Sequence, residues 1–503
     1  MTWDIQTDVL VAGYGLSGGV AAVAARDAGA EVLILEKGEY PGGCSIFSGG
    51  AVKCADDVEA ATSYLSAMSG DRMPAEMICS FAEGLAANEV YVRKLAAVNG
   101  AEVGRIQGTG AHYPYPGREA LYNLRVYKIP GFTGFAWMRH FLAPSGVNLI
   151  KLIVDNVEAR RVEVRFKSPV RRLLIDTNGS ILGAMAESDG RQIAVRARRA
   201  VVLATGGFEQ NEWFHKQYLQ GRPFYSMAPL TNTGDGIVMA QKAGAALWHM
   251  WHIHGSYGFK FPDSPIAYRH PFPGPRNPRR RMAWIVVDRF GSRYMNEYPP
   301  AIQDTGHRAM ELFDPDIPGY PRIPSYVVFD EEGRKLGAIA EPLAFPGFEY
   351  DWSKDNSREI DRGWIVKAGT LAELAEAVKG RFPENEDCMS GAQLQATIEE
   401  WNGYVETGED PLHRPPGTMM RIDGPPFYAA QVWPIITNTQ GGPVHNARQQ
   451  VIDSLGQPIP RLYAVGELGS FFGHLYELGG NLGECVSSGR IAGQGAAAEM
   501  PLP

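Results

Sequence analysis

Three glycines and one glutamate near the start of the chain have types and spacing that suit nucleotide binding. Gly13, Gly15 and Gly18 follow the pattern Gly-x-Gly-x-x-Gly, and Glu36 comes after them. In this pattern the first glycine makes a tight turn, the second lets backbone approach a pyrophosphate, and the third lets a helix pack closely on a strand. An acidic residue ~20 residues further on hydrogen-bonds a ribose 2′-hydroxyl. The four residues therefore predict a site for an adenine dinucleotide.

The segments around these residues are the elements that would position them. An apolar strand at residues 9–12 precedes the glycines, an alanine-rich helix at 20–28 follows them, and a second strand at 32–35 ends at Glu36. The N-terminus of such a helix carries a partial positive charge, which attracts a pyrophosphate. A tight turn in an ordinary α/β unit would explain the glycines but not the glutamate. The sequence thus predicts a Rossmann-like nucleotide-binding domain.

Length and charge limit the other classes of protein. The chain has 503 residues and a formal net charge of −8. Because a single core stops growing near ~250–300 residues, we expect more than one domain. The negative charge argues against a nucleic-acid partner. The densest basic patch, Arg279 to Arg281, suffices only to hold one carboxylate.

The cysteines and the lengths of the apolar runs predict the cellular compartment of the protein. Five cysteines, an odd number without a close metal-type pair, occur in the chain: Cys44, Cys54, Cys79, Cys388 and Cys485. They predict free thiols in a reducing compartment and no metal site. The first residues lack the pattern of a signal peptide, and no apolar run reaches the ~18 residues of a membrane span. We therefore expect a cytoplasmic protein without a membrane partner.

The order of the segments predicts a nucleotide-binding domain interrupted by an inserted one. The first part takes residues 1–265 and ends where segments rich in proline and arginine begin. The insertion takes residues 266–420. The chain then returns to the first domain at residues 421–503, with a final helix at Glu484–Glu499.

Two stretches leave alternatives open. Residues 108–140, which include Tyr113 and Tyr115, place many aromatic side chains among prolines and glycines. They form either a packed irregular loop or one aromatic wall of an apolar pocket. His252 and His254 alternate along a possible strand, and we expect them to be interior histidines rather than metal ligands.

Together, these segments resemble the flavoproteins that include the fumarate reductase and succinate dehydrogenase flavoprotein subunits and the 3-ketosteroid dehydrogenases. The resemblance covers nearly the whole chain. It rests on ordered motifs: the Gly13/Gly15/Gly18 loop with Glu36, Gly42-Gly43, Ser48-Gly-Gly, Ala204-Thr-Gly-Gly, Thr233-Gly-Asp-Gly, Gly291-Ser-Arg-Tyr-Met-Asn-Glu297, Gly466-Glu467 and Leu478-Gly-Gly-Asn481.

In that family the cofactor is FAD, and the substrate lies against the flavin ring between the FAD domain and a cap. The resemblance implies an α/β protein with a Rossmann-like FAD-binding domain of the glutathione-reductase type and an inserted α+β cap or catalytic domain. The FAD-binding residues that it implies are Gly13, Gly15, Leu16, Ser17, Gly18, Glu36, Lys37, Gly42, Gly43, Cys44, Ser45, Ser48, Gly49, Gly50, Ala204, Thr205, Gly206, Asp235, Gly466, Glu467, Asn481 and Leu482.

The chain departs from the fumarate reductases where they hold a dicarboxylate. They have an arginine before Leu-Gly-Gly-Asn, where this chain has Glu477, and a substrate-binding histidine where it has Asn438. Fumarate and succinate are therefore poor candidates, although Arg308 or the Arg279–Arg281 patch leaves one carboxylate possible. No histidine near Cys44 matches the residue that carries covalent FAD in some members, so we expect a non-covalent flavin.

The ketosteroid dehydrogenases fit better. They have a tyrosine four residues before a glycine in the last loop, which together hold the ketone oxygen, and Tyr476 and Gly480 match this pair. Their Tyr-Pro-rich loop resembles the segment with Tyr113 and Tyr115. The tyrosine that acts as base has no sure match. The candidates for that base are Tyr298, by residue type, and His307, by its place in the segment. The alternative for Tyr476, Tyr113 and Tyr115 is a role in packing only, and the alternative for Tyr298 and His307 is a place on a surface loop.

Three functional hypotheses follow. The first is an FAD-dependent desaturase of a cyclic ketone, either a 3-ketosteroid or a smaller alicyclic ketone such as an oxocyclohexane derivative. Its partners would be that apolar ketone and an unidentified external electron acceptor. The second is an ene-reductase that saturates an activated double bond other than that of fumarate. The third is a non-catalytic flavoprotein or an electron-transfer subunit.

Overall fold

The computed structural model describes residues 2–107, 110–138, 145–271, 283–299, 301–345, 348–382 and 389–502. Contacts within the chain divide it into two compact units. Unit 1 comprises Met1–Phe214, Ala228–Ile253 and Asn438–Pro503, and unit 2 comprises His215–Met227 and His254–Thr437. Arg279 to Arg281 and Cys388 lie outside the described residues, so the expectations about them stay predictions.

The α-helices of the described residues are numbered in chain order. They are α1 (Leu16–Asp27), α2 (Val58–Ser69), α3 (Ala75–Ala96), α4 (Ser145–Ala159), α5 (Glu212–Tyr218), α6 (Asp235–Lys242), α7 (Ile302–Thr305), α8 (Glu331–Lys335), α9 (Ser357–Asp361), α10 (Leu371–Arg381), α11 (Gly391–Thr407) and α12 (Gly480–Ala498).

The strands are numbered in the same way. They are β1 (Ile5–Ala12), β2 (Val32–Leu35), β3 (Val52–Ala55), β4 (Glu102–Arg105), β5 (Leu121–Lys128), β6 (Glu163–Arg165), β7 (Val170–Ile175), β8 (Ile181–Ser188), β9 (Arg191–Leu203), β10 (Tyr225–Ser226), β11 (Leu247–Trp248), β12 (Ile253–His254), β13 (Tyr257–Phe259), β14 (Tyr268–Arg269), β15 (Ile285–Val287), β16 (Ser325–Asp330), β17 (Leu343–Phe345), β18 (Phe348–Tyr350), β19 (Ile365–Ala368), β20 (Phe427–Ile436), β21 (Asn438–Thr439), β22 (Gly442–Pro443), β23 (Gln450–Ile452) and β24 (Pro458–Ala464).

Unit 1 is built on a sheet with the order β23-β24-β9-β1-β2-β6, to which β8 and β7 add beyond β9. The central pairs are parallel, with Val9 opposite both Val32 on β2 and Ala200 on β9. Residues 9–12, 32–35 and 200–203 of these strands are buried apolar runs, which is typical of the centre of a parallel sheet. The predicted α/β, Rossmann-like fold is confirmed.

The first and last helices pack backbone to backbone in unit 1. A Cβ atom on Gly489 would lie 2.7 Å from Ser17 O, and one on Gly493 would lie 2.3 Å from Ala21 O. Glycine at these two positions of α12 therefore lets it approach α1 more closely than any larger residue would. The two helices come from opposite ends of the sequence, and together they complete one face of the nucleotide-binding unit.

Unit 2 is built around β20. This strand pairs with β16, with Val327 opposite Ala430, and also with β13, β19 and β10. The sequence predicted a return to the first domain near residue 421, but the chain reaches unit 1 only at Asn438, because β20 is the central strand of the second sheet. Unit 2 also begins before the predicted boundary at 266, since β13 pairs with β20.

Three other details differ from the sequence-based expectations or complete them. Part of the aromatic stretch 108–140 is regular, because β5 pairs with β3 and β4 in a small antiparallel sheet. The last helix begins at Gly480 rather than at Glu484, which places Asn481 and Leu482 in its first turn. Among the described residues, no helix is long and apolar enough to cross a membrane.

Candidate cofactor cleft and active site

A cleft with an empty volume of about 790 Å³ opens in unit 1 at the ends of β1, β2 and β9. Most of the predicted cofactor residues line it: Gly13, Gly15, Leu16, Ser17, Glu36, Lys37, Gly43, Cys44, Ser45, Ala204, Thr205, Gly206, Asp235 and Glu467. Gly18, Gly42, Ser48, Gly49, Gly50, Gly466, Asn481 and Leu482 are not among its lining residues. The lining is completed by residues that were not among the predicted cofactor residues, namely Ala12, Leu35, Val170, Thr231, Asn232, Thr233 and Cys485.

The glycine loop leaves room for a ligand where the motif requires it. Gly13 has φ +107°, and a Cβ atom there would lie 2.3 Å from Ala204 O, so the loop packs tightly against β9. Gly15 precedes the first turn of α1, and its nearest neighbour for a Cβ atom is Gly42 O at 3.9 Å. The backbone at Gly15 therefore faces open space beside a helix N-terminus, which fits a pyrophosphate.

Glu36 is held in place by backbone amides. Its Oε2 accepts a hydrogen bond from Tyr14 N (2.7 Å), and its Oε1 accepts one from Gly38 N (2.6 Å). Burial raises the pKa of Glu36, and these amides partly offset that rise. A carboxylate has about four acceptor positions, so the two bonds leave capacity for ribose hydroxyls. Beside it, Lys37 Nζ is paired with Asp235 Oδ2 at 2.8 Å.

A buried acid pair lies at another part of the lining. Thr439 N donates to Glu467 Oε1 (2.9 Å) and to Glu209 Oε1 (3.3 Å), and Asn232 Nδ2 donates to Glu209 Oε2 (3.1 Å). Burial, and then the adjacent Glu209, raise the pKa of Glu467 well above its usual range. A second carboxyl group beside Glu467 opposes its ionisation.

Cys44 completes this cluster. Its Sγ accepts a hydrogen bond from Asn232 Nδ2 (3.2 Å), and it lies with the glutamate oxygens in a group whose atoms are all within 4.8 Å of one another. That spacing would also suit a metal ion. Burial raises the pKa of the Cys44 thiol, however, and a protonated thiol is a poor metal ligand. The absence of a metal site stays a prediction.

Tyr476 stands at the N-terminus of α12. Burial raises the pKa of its hydroxyl, and the backbone amides of Asn481 and Gly479, which donate hydrogen bonds to the oxygen, partly offset that rise. Gly480 N, predicted as the second donor to a ketone oxygen, instead donates to Glu477 O at 2.7 Å. In this structure that amide is engaged by the turn that opens α12.

The Tyr113–Tyr115 segment lies close to the same turn. The rings of Tyr113 and Tyr115 stack with centroids 5.6 Å apart. Tyr113 N donates to Tyr64 Oη (3.2 Å), and Tyr64 Oη donates to Glu477 Oε2 (2.5 Å). Four of the six predicted catalytic residues, namely Tyr113, Tyr115, Tyr476 and Gly480, thus belong to unit 1.

The two predicted bases belong to unit 2. His307 is buried, its Nδ1 pairs with Glu311 Oε1, and its Nε2 is buried without a hydrogen-bond partner among the described residues. Tyr298 is half-buried, and burial raises the pKa of its hydroxyl. Arg308, the candidate for a substrate carboxylate, pairs with Asp304 Oδ1 at 3.3 Å. Their catalytic roles stay predictions.

Three buried histidines of unit 1 hold the segment that leads to Tyr476. His249 Nδ1 donates to Ser470 O (2.8 Å), His252 Nδ1 to Phe472 O (2.5 Å) and His445 Nε2 to Gly469 O (2.8 Å). Burial lowers the pKa of His249 to about 4 and also lowers that of His445, so these two rings are neutral. His252 is interior and hydrogen-bonded, in agreement with the expectation from the sequence.

Glu484, on the other side of that segment, gives a prediction about stability. Its Oε1 accepts from Phe471 N (2.6 Å) and its Oε2 from Ser470 Oγ (2.6 Å). Burial raises its pKa to about 8, and the two hydrogen bonds only partly offset the rise. A raised carboxyl pKa contributes stability that is complete below the unfolded value of ~4.3 and is lost as the pH rises to the folded value.

We therefore expect the unfolding free energy to fall by on the order of 2 kcal/mol from pH 6 to pH 9 because of Glu484 alone. Glu484→Gln, which keeps the hydrogen-bonding shape of the neutral acid, should remove this part of the decline. Denaturant unfolding of both proteins at the two pH values measures it. Equal declines in the two proteins would show that Glu484 does not titrate in this range.

The comparisons with known proteins agree with this cleft. A family profile described as an FAD binding domain matches residues 8–482. The chain belongs to the FAD binding domain family. A Rossmann-like unit, a glycine loop with open space at Gly15, and a Glu36 with spare acceptor capacity fit the cofactor that this family holds, which is FAD.

Relatives within this family support the same assignment. The chain is 26% identical to the 3-oxosteroid 1-dehydrogenase of Mycolicibacterium smegmatis, over 97% of this chain and 96% of that protein. It is also 26% identical to the 4-oxocyclohexanecarboxylate 2-dehydrogenase of Sinomonas cyclohexanicum, over 97% and 92% of the two chains. The predicted resemblance is confirmed, since fumarate reductases are relatives as well.

A solved structure shares the fold. The 3-ketosteroid delta1-dehydrogenase of Sterolibacterium denitrificans, in complex with 1,4-androstadiene-3,17-dione, matches with a TM-score of 0.79 and 21% identity, over 98% of this chain and 99% of that one. The chain is an FAD-dependent oxidoreductase of the ketosteroid dehydrogenase and fumarate reductase type, whose members act on CH–CH bonds.

The residues that the sequence did not single out share a recognisable signal. Lys53 is a charged residue between Val52 and Cys54 in an apolar strand, and Glu209 follows Gly-Gly-Phe in the loop after β9. Charged residues in such surroundings are almost never fully buried unless paired. Their partners, Glu477 and Glu467, are far away in the sequence, so the sequence alone did not connect them.

Proposed function

We propose that the chain desaturates a cyclic ketone next to its carbonyl group. Its residues would bind the ring in an apolar pocket, hold the ketone oxygen and take up the acidic α-proton. FAD supplies the acceptor for the hydride from the adjacent carbon. The flavin is proposed to be non-covalent, and the reduced flavin would pass its electrons to an external acceptor.

The observation that carries the proposal is the Tyr476 hydroxyl at the N-terminus of α12. The hydroxyl is buried beside the amides of Asn481 and Gly479 at this helix end, and a hydrogen bond to a ligand oxygen is stronger in such surroundings than in water. The partial positive charge of the helix end also favours a negative charge nearby. A ketone oxygen that becomes an enolate oxygen when the α-proton leaves is the ligand that gains most from such a donor.

The substrate class is proposed from the relatives and the lining. Two relatives are named for a ring ketone, one a 3-oxosteroid and the other a 4-oxocyclohexanecarboxylate. The stacked rings of Tyr113 and Tyr115, reached from Tyr476 through Glu477 and Tyr64, would supply an aromatic wall beside the oxygen. The base is proposed to be Tyr298 or His307.

The Gly480 amide would contribute to the proposed reaction under one condition only. It becomes a second donor only when its bond to Glu477 O opens, so the first donor is Tyr476. The reverse reaction, reduction of an activated double bond, would use the same hydroxyl, because an enolate is its intermediate too. Direction is therefore a matter for experiment.

The test is anaerobic mixing of the purified yellow protein with ring ketones. We expect acid precipitation to release all of its FAD. We also expect a 3-ketosteroid or 4-oxocyclohexanecarboxylate to bleach the bound flavin. Succinate should leave the flavin oxidised, because the position of Glu477 holds an anion where a dicarboxylate would need a cation. Flavin that stays with the precipitate contradicts non-covalent binding.

A second arm of the same experiment separates the two directions. Protein reduced beforehand with dithionite is mixed with fumarate and with the corresponding cyclic enones. Reoxidation by an enone, without bleaching by any saturated ketone, would replace the desaturase with an ene-reductase. Turnover of fumarate or succinate would contradict the substrate class altogether.

A further inference from the structure

The carboxylate of Glu477 is almost completely enclosed. Its side chain is 2% exposed, and so is that of Lys53, whose Nζ lies 3.4 Å from Glu477 Oε1. Lys53 Nζ also donates to Gly110 O at 3.2 Å. Burial opposes ionisation of Glu477, but Lys53 first, then His112 and Tyr64, hold its pKa at about 2. Glu477 is therefore a buried anion at every working pH.

The remaining capacity of the carboxylate is also used. Tyr64 Oη donates to Glu477 Oε2 (2.5 Å), and His112 N donates to the same oxygen (3.0 Å). His112 Nδ1 lies 3.0 Å from Glu477 Oε1. Since Tyr64 Oη in turn accepts from Tyr113 N, one carboxylate connects the turn before α12 to β3, to α2 and to residues 110–113.

Hydrogen bonds to backbone carbonyl groups support the same junction. Lys53 N donates to Gly479 O (3.1 Å). Asn88 Nδ2 donates to Lys53 O (3.0 Å) and to Gly483 O (2.9 Å). The strand that carries Lys53 is thus fixed to both ends of the first turn of α12, and the side-chain network fixes the residue next to Tyr476.

Stability alone does not explain an ion pair in this place. Taking two charges out of water is costly, and well-packed apolar residues of similar volume are often equally stable. What the pair provides is geometry, because a carboxylate with fixed donors on both oxygens has only one arrangement. Glu477 directly follows Tyr476, so that arrangement also sets where the Tyr476 hydroxyl stands.

We propose that Glu477, through Lys53 and Tyr64, is a positioning residue that fixes the Tyr476 hydroxyl and the Tyr113–Tyr115 segment relative to each other. The proposal rests on the function proposed for Tyr476. It also accounts for the glutamate at a position where the fumarate reductases have a substrate-binding arginine. In this chain the side chain points into the protein and binds no substrate.

The variant that tests the positioning role with the smallest change in packing is Tyr64→Phe, which removes one hydroxyl group and keeps the ring. We expect flavin reduction at saturating ketone to slow by ~10-fold with little change in KM, since small displacements of a catalytic group have effects of this size. Binding of a phenol, followed through the flavin spectrum, should weaken as well. FAD content should stay near that of the wild type, whereas Tm should fall somewhat, because Tyr113 N and Glu477 each lose a buried hydrogen bond.

The matched control is Tyr122→Phe. Tyr122 Oη donates to Glu89 Oε2 at 2.6 Å, so this variant removes the same kind of tyrosine–glutamate bond without touching Glu477. It should reduce its flavin at the wild-type rate. Glu477→Gln, measured alongside, should slow reduction at least as much as Tyr64→Phe. Equal slowing in the Tyr122 and Tyr64 variants would overturn the proposal.

A double-mutant cycle decides whether Tyr64 acts through Tyr476. If it does, Tyr64→Phe has no further effect on flavin reduction once Tyr476→Phe is present. Effects that multiply would overturn the positioning role while leaving the proposed function intact. A Tyr476→Phe variant with the wild-type rate would instead remove the proposed function, and the positioning role with it.

Discussion

Flavin reduction by a ring ketone is expected to slow by ~10²–10³ when Tyr476 is replaced by phenylalanine. The estimate is the usual loss on removal of one donor to a developing oxyanion. Because Gly480 N is occupied by Glu477 O, the remaining amide does not compensate at once. The phenylalanine ring keeps its edge contact with Phe472, whose centroid lies 5.2 Å from that of Tyr476.

The measurement is stopped-flow bleaching of the flavin, with FAD content and Tm as controls for the fold. Both controls should barely move, because one buried oxygen is lost and no cavity is made. A rate within about threefold of the wild type, which corresponds to less than ~1 kcal/mol, would mean that Tyr476 is a packing residue. The ketone oxygen would then be held elsewhere, and the Tyr113–Tyr115 segment is the next candidate.

Gly15→Ala is expected to weaken FAD binding by on the order of 10²-fold while leaving the folded protein intact. Gly15 has φ −78° and ψ −171°, which alanine adopts without strain, and its Cβ atom would meet no protein atom closer than 3.9 Å. The added methyl group therefore fills only the space that the pyrophosphate needs. It acts on the ligand and not on the fold.

Gly13→Ala is the contrasting variant. Its Cβ atom would lie 2.3 Å from Ala204 O, and φ of +107° is strained for alanine. We expect a lower Tm for this variant even without FAD. FAD titration by fluorescence, together with the Tm of each apoprotein, separates the two effects. A Gly15→Ala protein that retains FAD normally would show that the pyrophosphate lies elsewhere in the cleft.

The parts of the molecule that could be predicted from sequence are those encoded by local pattern. One continuous segment of unit 1 contains the strand, the glycine loop, the alanine-rich helix and the acidic residue. In this segment each residue type suits the local backbone conformation that it adopts. Residues that line the cleft from distant segments, such as Thr205 and Glu467, were implied by the resemblance to the flavoprotein family, and both follow apolar strands. Parallel strands bring such ends together.

The parts that could not be predicted depend on contacts between distant residues. Nothing near Glu477 in the sequence indicates Lys53 or Tyr64 as its partners. Gly480 was expected to have a free amide, since the sequence placed the start of the last helix at Glu484. In the structure α12 begins at Gly480, and the amide of Gly480 therefore donates to Glu477 O. The sequence placed the return to the first domain near residue 421, whereas unit 1 resumes at Asn438. The residues of β20 are apolar and do not indicate which sheet the strand joins, because that depends on its pairing with β13 and β16.

The contact between α1 and α12 has a consequence for how the protein is made. Gly489 and Gly493 complete the packing of α1, yet they are synthesised only after the residues of the interrupting unit. The β1–α1–β2 segment must therefore wait, with one apolar helix face uncovered, while the interrupting unit is synthesised and folds. Contacts of such long sequence separation form slowly. Cofactor capture is thus a late event in the life of each new molecule, and removal of the last helix should leave a chain that never takes up flavin.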